Sequence, residues 1–181
     1  MDLSQGYPKD FTILTNKEIE DIINWELSVF VDKSISLDYI SNNIFVGNYA
    51  SALSEETLKE NKITHILLAG KDMICLFPHK FTYKILPLYD SPYLKLKKYI
   101  IEANEFIKKT LEENKENKIL IHCASGISRS VSIAIGYFIE NCGMKFDEAL
   151  KHLKTQRKIA HPNQGFEKDL RDFSFEVHKS F

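Results

Sequence analysis

The chain is poor in cysteine, has no large surplus of charge of either sign, and carries no apolar run of membrane-spanning length. Its three cysteines are widely spaced. An odd, sparse set builds no disulfide framework and fits a reducing compartment, the cytoplasm with the nucleus left open. Lys and Arg number 24 against 25 Asp and Glu, a formal charge of −1. That balance argues against nucleic acid as a partner, although a local basic pocket is allowed. No run reaches the ~18 apolar residues that a membrane span needs. Met1 to Asp10 has neither the positive start nor the apolar core of a secretion signal. Asp2 excludes myristoylation there, and the closing His-Lys-Ser-Phe is no prenylation box. No His, Cys, Asp or Glu group has metal-ligand spacing, so neither metal nor cofactor is expected. His65 and His79 are isolated and read as structural or solvent-facing. A 44% hydrophobic and 27% charged composition over 181 residues predicts one globular domain.

One stretch stands out from this ordinary background: His122-Cys123-Ala124-Ser125-Gly126-Ile127-Ser128-Arg129-Ser130. The apolar run Ile119-Leu120-Ile121 precedes it, and a long apolar segment, Val131 to Ile139, follows. Strand, tight loop and helix is the reading. A loop entering a helix in this way points backbone N–H groups at one spot, at the positive end of the helix dipole. Such a spot binds an oxyanion such as phosphate. Cys123 sits where those groups converge, and both a helix N-terminus and a guanidinium favour the nucleophilic thiolate. Arg129, on the first helical turn, can fold back over the loop and bind two phosphate oxygens with its planar fork. Gly126 permits the tight turn. Ser128 and Ser130 flank the arginine, and Ser130 is placed to hydrogen-bond the sulfur as a leaving group.

His-Cys-x5-Arg-Ser resembles the signature of the cysteine-dependent protein phosphatases. Gly-Ile-Ser-Arg-Ser is similar to the dual-specificity branch, in its small atypical form. The resemblance implies hydrolysis of phosphotyrosine and phosphoserine or phosphothreonine in proteins through a phosphocysteine. Cys123 would attack phosphorus, and Arg129 with the loop 124–129 would bind the phosphoryl oxygens. An upstream aspartate would protonate the leaving oxygen. Ser125 departs from the alanine usual at its position. His122, beside the nucleophile, is read as orienting the loop rather than as the proton donor.

Asp90 is the candidate acid. Leu86-Pro87-Leu88-Tyr89-Asp90-Ser91-Pro92 leaves a strand and ends in turn residues, and Asp90 is the only acidic residue between Asp72 and Glu102. In the family the acid stands just before a helix, and Leu96, Tyr99, Ile100, Ala103, Phe106, Ile107 and Leu111 mark such a helix here. Lys95 stands where Asn or Asp commonly starts it. Asp72 is the second choice, and a plain turn residue is the alternative for Asp90.

Around this centre the chain reads as an α/β domain, with a mostly parallel central sheet flanked by helices. Residues 1–35 form an arm and a helix over about 16–30, opened by the capping-box spacing Thr15 to Glu18 and packed on the domain. Residues 36–181 form the catalytic domain, and the resemblance runs from Ser36 to Phe175. Ile40 to Ala52 reads as strand and turn, and a short helix starting at Ser54 carries Leu58. Ile63 to Leu68 and Thr82 to Leu86 read as strands buried on both faces. Gly143 stops the helix after the loop. Two further helices carry Phe146, Ala149, Leu150 and Leu153, then Phe166, Leu170, Phe173 and Val177. The segment Arg157-x4-Pro162-Asn163-x-Gly165-Phe166 also matches the family. Arg157 reads there as structural, and Asn163 as a cap or as the anchor of a site-lining loop. Cys75 reads as a core thiol, with a resolving thiol for oxidised Cys123 as the alternative. Cys142 reads as structural.

Two rivals are open at this level. A phosphatase for phosphoinositides, RNA 5′-phosphates or glucans is one. Loops of the phosphoinositide type carry a cation between cysteine and arginine, and 124–128 carry none. The other is a non-enzymatic phosphoprotein-binding module, which typically loses the cysteine or the arginine; both are present.

Overall fold

The computed structural model describes residues 15, 17, 20, 21, 34–71 and 73–179. The arm at 1–14, all but three positions of the helix expected over 16–30, and Asp72 lie outside the described residues.

The described residues form strands β1 (Leu37–Ser41), β2 (Ile44–Gly47), β3 (His65–Ala69), β4 (Thr82–Leu86) and β5 (Ile119–His122). The helices are α1 (Tyr49–Leu53), α2 (Glu55–Glu60), α3 (Lys97–Glu113), α4 (Arg129–Cys142), α5 (Phe146–Gln156) and α6 (Gln164–Lys179). The strands form one sheet in the order β1-β2-β5-β3-β4. Only the β1–β2 pair is antiparallel. The mostly parallel α/β architecture matches the reading of the sequence.

Alternation along the strands explains why both faces must be covered. Ile119 and Ile121 of β5 join Leu67 and Ala69 of β3 in one core cluster with α3, α4, α5 and α6. Leu120, Ile66 and Leu68 point the other way, into a cluster with α1, α2 and the 73–81 segment. A pleated strand sends neighbouring side chains to opposite faces, so continuous apolar runs specify a sheet covered on both sides. β4 departs from that expectation: it is an edge strand, and Ile85 is half exposed.

Two local features differ from the strand and turn expected over Ile40 to Ala52. β1 and β2 form a hairpin whose two-residue turn, Asn42-Asn43, has φ of 51° and 61°. Asparagine tolerates that left-handed backbone, which suits a two-residue hairpin. After Gly47 the chain then enters α1, not an open turn. Asn48 caps it, its side chain accepting from the Ser51 N–H at 3.0 Å.

α4 is the axis of the domain. From Ser130 to Ile139 every residue is buried, as its apolar surface on all sides requires. It ends at Gly143, whose φ of 66° closes a left-handed cap. The register aligns the strand ends: Leu68 pairs with His122, and Ala69 with Leu86. The loops after β3, β4 and β5 therefore leave the same edge of the sheet, where open parallel sheets carry their sites.

Candidate active site

Cys123 lies at the floor of the loop between β5 and α4, almost wholly buried. The loop holds an unusual arrangement of its backbone dipoles. The carbonyl of Ala124 accepts from the Tyr49 N–H at 2.9 Å, and that of Ile127 from the His161 N–H at 2.8 Å. The carbonyl of Gly126 accepts from Arg157 Nε at 2.7 Å, and that of Ser125 from Arg157 Nη2 at 3.4 Å. Four successive carbonyls are thus engaged by surrounding protein. The Gly126 N–H donates inward to Cys123 Sγ at 3.2 Å. Carbonyls turned out and an N–H turned in make a concave site for an anion.

Gly126 is needed for this shape. Its φ is +69°, and a Cβ there would lie 2.6 Å from the Gly47 carbonyl oxygen and against the Arg157 guanidinium. Arg157 is itself buried and pairs with Asp38 Oδ2 at 2.6 Å. It is a brace for the loop from behind.

Ser130, on the first turn of α4, brings its Oγ to 3.3 Å from Cys123 Sγ. Arg129 opens the same helix, with its side chain 16% exposed. Its Nε is buried and makes no hydrogen bond among the described residues; Asp90 Oδ2 lies 3.8 Å away.

Asp90 hangs from the loop after β4 and is tied down at one oxygen. Oδ1 accepts from Ser128 Oγ and from Asn163 Nδ2, both at 2.8 Å. The Asn163 N–H donates in turn to Ser128 Oγ at 3.1 Å, and its Oδ1 accepts from the Phe166 N–H at 2.9 Å. Asn163 therefore does both jobs considered for it, capping α6 and fixing the Asp90 loop. Gly165 adds a close backbone approach, since any Cβ there would strike the Pro92 carbonyl. The structure brings Cys123, Arg129, Ser130, Asp90 and residues 124–128 together. Ser128 turns its hydroxyl to Asp90 and Asn163.

His122 is wholly buried and stacks on Tyr49, with the rings 1° from parallel and their centroids 6.0 Å apart. Burial, helped by the Arg129 charge and opposed by a contact with the Cys123 backbone, pushes its pKa down to about 4. It is neutral at physiological pH. Burial pushes the Cys75 thiol up to about 11 and raises that of Cys142 as well. Cys75 packs beside the cluster on the opposite face of the sheet from Cys123. Sequence reasoning missed Tyr49 and Asp38. No motif marks either, because each is recognised only through a partner distant in sequence.

A buried cysteine in a loop that turns its carbonyls outward, with an arginine at the loop's end and a carboxylate tethered to it, defines the class of cysteine-based phosphatases. The comparisons with known proteins make the family specific. A family model described as dual specificity phosphatase, catalytic domain, matches residues 44–175. Dual specificity protein phosphatase 1 of Arabidopsis thaliana is 33% identical over 133 residues, which span 74% of this chain and 66% of that protein. Dual specificity protein phosphatase 1B of the same plant is 32% identical over 137 residues, spanning 76% and 81%. The crystal structure of human tyrosine phosphatase-like serine/threonine/tyrosine-interacting protein superposes with a TM-score of 0.72 at 28% identity, covering 80% of this chain and 98% of that one. The chain belongs to the dual specificity phosphatase family, whose activity is cysteine-based dephosphorylation of phosphotyrosine and phosphoserine or phosphothreonine in proteins. Among the described residues, no helix is long and apolar enough to cross a membrane.

Proposed function

We propose that this chain hydrolyses protein phosphomonoesters through a phosphocysteine on Cys123. Arg129 and the loop N–H groups hold the phosphoryl oxygens. The Cys123 thiolate attacks phosphorus as the bond to the leaving oxygen breaks, and Asp90 gives that oxygen its proton. Asp90 Oδ1 already accepts two hydrogen bonds, so the proton is carried on Oδ2, the oxygen facing Arg129. Water then attacks phosphorus, Asp90 takes a proton from it, and the sulfur–phosphorus bond breaks. Ser130 Oγ hydrogen-bonds the departing thiolate. Positioning and fixed charge supply most of the acceleration.

The observation that carries this reading is the loop itself. Four outward carbonyls and an inward N–H surround a buried sulfur, and the loop ends at an arginine whose Nε makes no hydrogen bond among the described residues. The five residues from Ala124 to Ser128 carry no charge, which supports a phosphoprotein over a polyanionic inositide. Ile127 within the loop, Ile159 on the segment that bonds to it through His161, and Tyr93, three positions after Asp90, are exposed and offer apolar surface to a polypeptide. The three cysteines are free, which supports a reducing compartment, cytoplasmic or nuclear. Residues 1–35 are proposed to pack as an arm and helix on the catalytic domain 36–181.

The test is a metal-free substrate panel under reducing conditions: an aryl phosphate, phosphotyrosine, phosphoserine and phosphothreonine peptides, and a phosphoinositide. Turnover of the aryl phosphate and the peptides, lost in Cys123→Ser, is expected. Preference for the inositide would overturn the substrate class. An inactive wild type that still binds phosphopeptide would make the chain a binding module.

A further inference from the structure

Tyr49 opens α1; two of its groups reach the residues flanking Cys123, and a third anchors it to the segment after β3. Its backbone N–H donates to the Ala124 carbonyl at 2.9 Å. Its ring lies 1° from parallel to the His122 imidazole. Its hydroxyl accepts from the Ile74 N–H at 2.8 Å. The residue is buried, and it starts from a fixed base. Asn48 before it bonds the Ser51 N–H, the Ser36 N–H and the Ser34 carbonyl.

These contacts fall on either side of the nucleophile. His122 precedes Cys123 and Ala124 follows it, so one residue holds both neighbours of the sulfur. The third contact reaches the segment after β3. That segment begins at Gly70, where a side chain would start 3.1 Å from Arg129 Nη1. The hydroxyl thus anchors Tyr49 to the segment after β3, through the Ile74 N–H.

His122 needs such a hold. Neither imidazole nitrogen makes a well-aligned hydrogen bond among the described residues. A buried ring without a well-aligned hydrogen bond is oriented largely by what it packs against, and parallel aromatic rings at this separation attract one another.

We propose that Tyr49 is a positioning residue for the reaction: its ring and backbone clamp the residues flanking Cys123 and so set the direction of Sγ within the loop. The inference rests on reading Cys123 as the nucleophile. The clamp acts through geometry, and small displacements at a reacting atom carry large kinetic costs.

Tyr49→Leu and Tyr49→Phe, compared with wild type and Cys123→Ser, test it. Leucine removes the stack. Phenylalanine keeps the ring and loses only the hydroxyl. Three quantities are read well below the melting temperature: kcat and KM on a phosphopeptide, and the rate of Cys123 alkylation by iodoacetate at a fixed pH, followed by mass spectrometry. Tyr49→Leu should lower kcat by about 10-fold and alkylation by about 3- to 10-fold, with KM within about 2-fold. Tyr49→Phe should recover both to within about 2-fold of wild type. A leucine variant that melts lower yet matches wild type in kcat and alkylation would reduce Tyr49 to a packing residue and overturn the proposal. A phenylalanine variant as slow as the leucine variant would overturn the role of the ring. Tyr49→Met, which refills the volume with a supple chain, gives the same reading should the leucine variant not fold. Alkylation does not depend on turnover. An inactive wild type therefore fails the phosphatase reading alone, and the alkylation comparison still decides the clamp.

Discussion

Replacing Asp90 with asparagine separates chemistry from structure unusually well. Asparagine has the shape of aspartate, and its carbonyl oxygen can keep the bonds from Ser128 Oγ and Asn163 Nδ2 that hold Oδ1. The loop should stay where it is. What disappears is the acidic oxygen facing Arg129, 3.8 Å from its Nε, which carries the proton in the acid and the charge once that proton has been given up. General acid catalysis contributes about 10²- to 10⁴-fold when the leaving group needs it. A serine alkoxide needs nearly all of it, and an aryl oxide with electron-withdrawing groups needs little. Asp90→Asn should therefore lower kcat/KM on a phosphoserine peptide by about 10²- to 10³-fold, or about 3–4 kcal/mol of barrier. On an activated aryl phosphate the loss should stay below about 5-fold. The assay is kcat/KM across aryl phosphates of graded leaving-group acidity. That ratio reports phosphoryl transfer to sulfur, so the hydrolysis half-reaction does not obscure it. The variant should show the steeper dependence on the leaving group. An equal loss across the series would refute the role of Asp90 as acid and leave it as a tether.

Other perturbations follow from the same geometry. Gly126→Ala places a Cβ at a left-handed φ and 2.6 Å from the Gly47 oxygen, so the peptide that donates to Sγ must shift. Loss of one such donor costs about 10²- to 10³-fold in kcat, measurable by steady-state kinetics on the folded variant. Arg157→Met leaves the buried Gly126 carbonyl and the partly buried Ser125 carbonyl without their donor. Calorimetry should show a loss of about 2–4 kcal/mol, or about 5–15 °C in Tm, most of it from the carbonyls because Asp38 is partly solvated. His122 is held neutral in the fold, with its pKa lowered from 6.5 to about 4. The unfolded chain binds the extra proton between those values. Stability should therefore be intact above about pH 6.5 and fall by up to about 3 kcal/mol as pH drops towards 4. Denaturant titrations of His122→Gln should show a flatter pH dependence over that window.

The centre of the fold was legible because its signals are local. Strand, loop and buried helix follow one another within the stretch from Ile119 to Ile139, and Gly143 marks where the helix stops. The short helix that carries Leu58 was equally readable, and it starts one residue after Ser54, which caps it. α1 was not, since five residues are too few to display a helical period and only Asn48 announces it. β4 carries the apolar residues of a buried strand yet lies at the sheet edge; strand order is a tertiary property that periodicity does not encode. The same holds at the site. Cys123, Ser130 and Arg129 belong to one motif. The Asn163–Asp90 bond spans 73 positions and the Arg157–Asp38 bond 119, so neither could be read from neighbours in the chain. The His122–Tyr49 stack is of the same kind.

The most direct measurement is rapid quench of the wild-type protein with a phosphate-labelled substrate, followed by peptide mapping. Transient label, up to one phosphoryl group per chain, is expected on the peptide containing Cys123. It should be absent in Cys123→Ser, which should also show no turnover. Full turnover with no label on that peptide, or a Cys123→Ser variant that retains activity, would mean that water attacks phosphorus directly and would contradict the cysteine mechanism.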